Sequence, residues 1–134
     1  MPIVTVTRRL RFNAAHRLHN PALSDEENKA LFGKCNNPNW HGHNYVLEVA
    51  VEGPIDERTG YVIDLGRLKS IVQHEVIDPV DHRNLNVDVE FMRGVNPTAE
   101  NIAKLIYDFT ASRGFPIVEC QLWETPHCYA TYRP

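Results

Sequence analysis

With 134 residues and 43% hydrophobic content, the chain has material for one compact domain with its own core, spanning residues 1–134. Fourteen Lys and Arg against seventeen Asp and Glu leave a net charge of −3, and no basic run is present, so neither a nucleic-acid footprint nor a polybasic membrane anchor is expected. No apolar run approaches the ~18–20 residues of a membrane span.

Residues 1–3 lead straight into a strand pattern, without the basic and apolar regions of a signal peptide. Three cysteines, an odd number, argue against a disulfide framework, so the expected setting is cytoplasmic with free thiols. Over residues 3–16, Val4, Val6, Leu10, Phe12, Ala14 and His16 share one parity, broken only by Arg8, which predicts a long strand ending in a histidine. Residues 17–39 form a long polar excursion with a helical turn expected around Ala30, Leu31 and Phe32. Excursions beyond about 12–15 residues are usually functional or disordered. A second strand is predicted over residues 41–52, where His41, His43, Tyr45, Leu47, Val49 and Val51 share a face. A short strand at Tyr61, Val62 and Ile63 is expected to follow it across a turn around residues 57–60.

Asp64 is placed to cap a helix whose stripe is Leu65, Leu68, Ile71, Val72 and Val76. Thr98 is placed to cap a second, burying Ile102, Leu105, Ile106 and Phe109 and ending near Gly114. Two closing strands are predicted over residues 117–124 and 129–132. The order ββααββ implies an α+β domain, a four-stranded antiparallel sheet with both helices on one face. An open sheet leaves two unpaired edges, which points to homo-oligomer formation.

His41 and His43 stand side by side on an apolar face, and His16 ends a neighbouring strand on the same kind of face. Three converging imidazoles are costly to bury without a bridge, and three protein ligands plus an open position is the pattern of catalytic Zn²⁺. His19, His74 and His127 lack this convergence and read as surface or turn residues. Cys35 is open to three readings: a fourth ligand, a small buried hydrophobe, or a reactive thiol whose pKa Lys34 and a nearby metal would lower. Cys120 and Cys128 read as packing residues. Asp81 and His82 form an adjacent carboxylate and imidazole, either a chance pair or a general acid and base. Glu124 continues the parity of Val118, Cys120 and Leu122, where a carboxylate is rare unless it is paired, holds a ligand or ends a strand in solvent.

Leu23-Ser24-Asp25-Glu26-Glu27-Asn28, Gly33-Lys34-Cys35-Asn36-Asn37-Pro38 and His41-Gly42-His43-Asn44-Tyr45 closely resemble the 6-pyruvoyl-tetrahydropterin synthases. The resemblance continues in Phe12-Asn13-Ala14-Ala15-His16, Val80-Asp81-His82-Arg83-Asn84-Leu85, Pro97-Thr98-Ala99-Glu100-Asn101 and Trp123-Glu124-Thr125, and so covers nearly the whole chain.

The resemblance implies the tunnelling fold, with sheets joined around a trimeric barrel and two trimers stacked into a hexamer. It implies zinc on His16, His41 and His43, proton transfer by Cys35 with Asp81 and His82, and a pterin ring anchored by Glu124, with Thr98 and Glu100 lining its pocket. The implied reaction is the conversion of 7,8-dihydroneopterin triphosphate to 6-pyruvoyl-tetrahydropterin, a step of tetrahydrobiopterin synthesis, with Lys34, Arg9 and Arg11 as candidates to meet the triphosphate. Relatives that make 6-carboxytetrahydropterin for queuosine synthesis share these residues. Their Cys-to-His spacing is typically shorter than the five residues between Cys35 and His41, so the chain leans to the pyruvoyl branch. A third reading, a zinc-stabilised binding module without turnover, leaves the thiol, the Asp-His pair and Glu124 as accidents. Trp40 departs from the glycine of the animal members, and its ring is expected at the pocket mouth.

Overall fold

A computed structural model describes residues 2–134; Met1, where the reading of a missing signal peptide begins, lies outside them. Two strands of equal length, β1 (Ile3–His16) and β2 (His41–Pro54), form the antiparallel spine of the sheet. Their register sets Leu10 opposite Leu47, Phe12 opposite Tyr45, Ala14 opposite His43 and His16 opposite His41. Because side chains alternate, all of these face the same side, and the strand pair carries its apolar stripe directly into the histidines.

The long excursion between these strands holds α1 (Asp25–Phe32), two turns where one was expected. Ser24 and Glu27 close a reciprocal capping box at its start: Ser24 Oγ accepts from the Glu27 N–H at 3.1 Å, and the Glu27 carboxylate accepts from the Ser24 N–H at 3.2 Å. Asp64 caps α2 (Leu65–Val72), which runs on through a π turn (Gln73–Ile77) and a last helical turn (Asp78–Val80). Thr98 caps α3 (Ala99–Ser112) by accepting from the Asn101 N–H at 3.2 Å. Leu68 and Val72 of α2 and Ile102 and Ile106 of α3 join the inner face of the sheet in one buried core, as their spacing requires.

The α+β architecture stands, but the sheet has five strands, in the order β3-β1-β2-β4-β5. The added strand, β3 (Arg83–Asn84), is only two residues long and runs parallel to Ala14 and Ala15 of β1, too short to leave a periodic signal. Tyr61 to Ile63 do not form a strand. Their loop is folded onto Asp56, whose carboxylate accepts from the N–H groups of Arg58 and Thr59 while its own N–H donates to the Tyr61 carbonyl at 2.8 Å. The expected closing strands are present as β4 (Ile117–Thr125) and β5 (Cys128–Tyr132). A bulge between Ala50 and Val51 sets Ile117 opposite Val51 and Glu119 opposite Ala50. Val118 therefore drops out of the inner face, and Ile117, Cys120 and Leu122 fill it. Among the described residues, no helix is long and apolar enough to cross a membrane.

Candidate metal centre and substrate pocket

The spine ends in a cluster. His16 Nε2 lies 3.0 Å from His41 Nε2 and 3.3 Å from Glu124 Oε1, and His43 Nε2 lies 2.9 Å from the same carboxylate oxygen. One ligand atom from each of His16, His41, His43 and Glu124 falls within 4.8 Å of all the others. Ligand atoms at ~2.0–2.1 Å from a tetrahedral ion stand about 3.3 Å apart, so these separations suit one. His16 is fully buried, and its Nδ1 lies 2.9 Å from the Pro97 carbonyl. A carbonyl only accepts, so Nδ1 carries the proton and Nε2 keeps its lone pair toward the cluster.

The electrostatics agree with a metal centre. Burial lowers the pKa of both His41 and His43, the neighbouring imidazoles push the same way, and the opposing pull of Glu124 does not reverse it. Both rings are thereby held neutral, the form that binds metals. Contact with the His16 imidazole, ahead of His43 and His41, keeps Glu124 below the usual carboxylate range, hence charged. His41 Nδ1 and His43 Nε2 are buried without a hydrogen-bond partner. His43 is near Glu124 but not aligned for a hydrogen bond, and such orphaned nitrogens are what a cation at this point would satisfy. The donor set fits a divalent ion.

Cys35 lies in a short 3-10 turn (Gly33–Asn36) after α1 and shares a cavity with Lys34, His41 and His43. Burial, then the charge of Glu124, push its thiol pKa up from 9.0, so the protein alone does not lower it as expected from Lys34. Thr98, Glu100 and Glu124 border a separate recess of about 250 Å³. Its wall includes Cys128, which is exposed at the start of β5 and not a packing residue, whereas Cys120 is fully buried. Thr98 combines its place in the recess with its capping bond.

Asp81 and His82 are not brought to Cys35 within one chain. Asp81 Oδ1 accepts from the Asn13 N–H at 2.8 Å and lies 3.0 Å from His82 Nδ1. The pair borders a cavity with Arg9, Arg11, Asn44 and Trp123, whose parity puts them on the sheet face opposite the three histidines. His82 adopts φ +60°, a conformation that costs a non-glycine residue about 1–3 kcal/mol. Arg9 is already bonded to Glu48 at 2.7 Å. Trp40, at φ +69°, lines a different cavity with His19, Phe32 and Asn96, so its ring is not at the Cys35 pocket.

Tyr45, which shares the parity of His41 and His43, also belongs to the site. Its hydroxyl lies 3.3 Å from His16 Nδ1, and its ring stacks on Phe12 at 4.8 Å, filling the floor under the cluster. The Pro97 carbonyl carries no side-chain signal at all.

The family model described as 6-pyruvoyl tetrahydropterin synthase matches residues 5–134. The 6-pyruvoyl tetrahydrobiopterin synthase of Homo sapiens is 52% identical over 103 residues, covering 77% of this chain and 71% of that protein. The solved structure of the Caenorhabditis elegans 6-pyruvoyl tetrahydropterin synthase superposes with a TM-score of 0.94 at 46% identity, covering 100% of this chain and 97% of that one. A 6-carboxy-5,6,7,8-tetrahydropterin synthase of Rickettsia conorii is 30% identical over 147 residues, covering 95% of this chain and 98% of that protein.

Proposed function

The chain belongs to the 6-pyruvoyl tetrahydropterin synthase family, and from that premise we infer a lyase that converts 7,8-dihydroneopterin triphosphate to 6-pyruvoyl-tetrahydropterin with loss of inorganic triphosphate. The observation that carries this reading is the convergence of His16, His41, His43 and Glu124 beside Cys35. His16, His41 and His43 would hold zinc, and Glu124, charged and at the edge of the adjoining recess, takes the N–H groups of the pterin ring. Thr98 and Glu100 line that recess. The bound ion supplies Lewis acidity that makes the carbon-bound protons next to the side-chain hydroxyls removable, and positive charge that counters the rise in the Cys35 pKa.

Cys35 removes such a proton, and protons returned to the ring reduce its C=N bond while the side-chain carbinol is oxidised. The redox change is internal, and no external reductant is required. Loss of triphosphate then leaves a diketone. His82, oriented by Asp81, relays protons with Cys35. Since one chain sets these groups on opposite sheet faces, the reading requires a second copy to present its Asp81 and His82 beside Cys35. Edge pairing through β5 and the length of β1 that β3 leaves uncovered, into a trimer or hexamer, supplies that copy. Lys34, in the Cys35 cavity, and Arg11 meet the triphosphate, and the location is cytoplasmic.

Incubation of the purified zinc protein with 7,8-dihydroneopterin triphosphate, with products identified by mass spectrometry, tests the reading. The expected products are 6-pyruvoyl-tetrahydropterin and triphosphate. Dominant 6-carboxytetrahydropterin with acetaldehyde assigns the chain to the other branch, and zinc binding without turnover assigns it to a binding module.

A further inference from the structure

Immediately beyond His16 the chain leaves the sheet, and residues 17–20 have no strand neighbour, yet their peptide groups are nearly all bonded. Asn86 accepts from the Arg17 N–H at 2.9 Å and donates to its carbonyl at 2.8 Å. Asn96 accepts from the His19 N–H at 3.1 Å, and Asn28 accepts from the Asn20 N–H at 2.8 Å and donates to its carbonyl at 2.9 Å. Asparagine side chains from separate segments thus do the work of a missing strand. The fourth of them, Asn36, differs from the others because it is next to Cys35.

Asn36 is only 3% exposed. Its Nδ2 donates to the Leu18 carbonyl at 2.7 Å and lies 3.0 Å from His19 Nδ1. The Leu18 oxygen only accepts, which fixes the amide orientation, and the amide then requires the lone pair of His19 Nδ1. Two further bonds run between the same segments: the Leu18 N–H donates to the Cys35 carbonyl at 2.8 Å, and Arg17 Nε donates to the Asn36 carbonyl at 3.1 Å. The turn that carries Cys35 is therefore tied to the three residues that follow His16, itself held by Pro97. Loss of the Asn36 amide strands the half-buried Leu18 carbonyl and removes the side-chain part of that tie.

We propose that Asn36 is a positioning residue: its buried amide, bonded to Leu18 and His19, sets where the Cys35 sulfur stands relative to His16, His41 and His43. His19 belongs to the same device and is not an ordinary surface histidine. The kinetic consequence rests on Cys35 being the base, whereas the placement of the thiol does not.

The test uses the zinc-loaded protein and its Asn36→Ala and His19→Ala variants, with Ile106→Val as a core-destabilised control. Iodoacetamide labelling at Cys35 is followed by peptide mass spectrometry, with an added cysteine-containing peptide as internal standard. Asn36→Ala is expected to label Cys35 roughly tenfold faster relative to the added peptide, as the turn opens. Its kcat falls ~10- to 100-fold with KM little changed, since misplacing a reacting group costs that much. His19→Ala moves both in the same direction by less, and Ile106→Val lowers Tm without changing the labelling ratio. An unchanged ratio in Asn36→Ala overturns the proposal, as does an equal change in the core control. If Asn36→Ala fails to fold, the labelling ratio of His19→Ala decides by the same criterion. Faster labelling with undiminished turnover upholds the anchor and removes Cys35 from the reaction instead.

Discussion

Glu124 Oε1 lies 2.9 Å from His43 Nε2, so the carboxylate at the recess it shares with Thr98 and Glu100 also touches the histidine cluster. The two roles separate in Glu124→Gln. With three histidines sufficient for the ion, the variant is expected to keep one zinc per chain. Its affinity for a pterin product falls by about 10- to 100-fold, the worth of hydrogen bonds to a charged acceptor at ~1.5–3 kcal/mol. Metal analysis and equilibrium binding check this. Zinc lost on gel filtration would make Glu124 a fourth ligand.

Alternation along two strands was enough to foresee the histidine cluster. His16, His41 and His43 share a parity with the core, and a straight antiparallel register then leaves them nowhere to be but together. The strand β3 was illegible because two residues carry no period, and the bulge at Ala50 and Val51 shifted the parity of Val118 without any local sign. The Pro97 carbonyl was invisible for a different reason, since every residue has one and only the fold decides which is aimed at His16. Trp40 lies away from the Cys35 cavity because it precedes the first residue of β2, His41, and the alternation of that strand does not govern it.

Cys35→Ala separates base from ligand. The variant is expected to retain zinc and bind pterin while kcat falls ~10²–10⁴-fold, the usual share of a general base. Addition of His82→Ala should cost much less than the two single losses combined, as expected of groups that share one proton relay. Single-turnover rates give the comparison, and zinc loss from Cys35→Ala would convert the thiol into a structural ligand.

The opposite-face placement of Cys35 and His82 makes assembly testable through activity. At micromolar concentration the protein is expected to sediment as a trimer or hexamer. Cys35→Ala and His82→Ala, each nearly inactive, should recover part of the activity when dissociated together and reassembled, because some interfaces then combine an intact Cys35 with an intact His82. Reassembled mixtures with no more activity than either variant would put both groups in one chain's site and require a local rearrangement.

Acidification should loosen the metal-free protein in a defined window. His41 and His43 have folded-state pKa values below 6.5, so below about pH 6.5 the unfolded chain binds more protons than the folded one, and stability falls with falling pH. Glu124, held below 4.5 in the fold, extends the loss in the same direction at lower pH. The contribution is thus complete above about pH 6.5 and is removed as pH drops through the folded values. Zinc binding follows the same sign, because protons compete for the same nitrogens, and its stabilisation should fade over that range. The check is the Tm of chelator-treated and zinc-loaded protein between about pH 8 and pH 5, alongside a His41→Gln, His43→Gln double variant. The parent is expected to lose Tm on acidification more steeply than the double variant, with the zinc-loaded parent steepest of all. Equal slopes in parent and double variant would mean that these imidazoles are not held neutral by the fold, and the cluster would lose its electrostatic case as a metal centre.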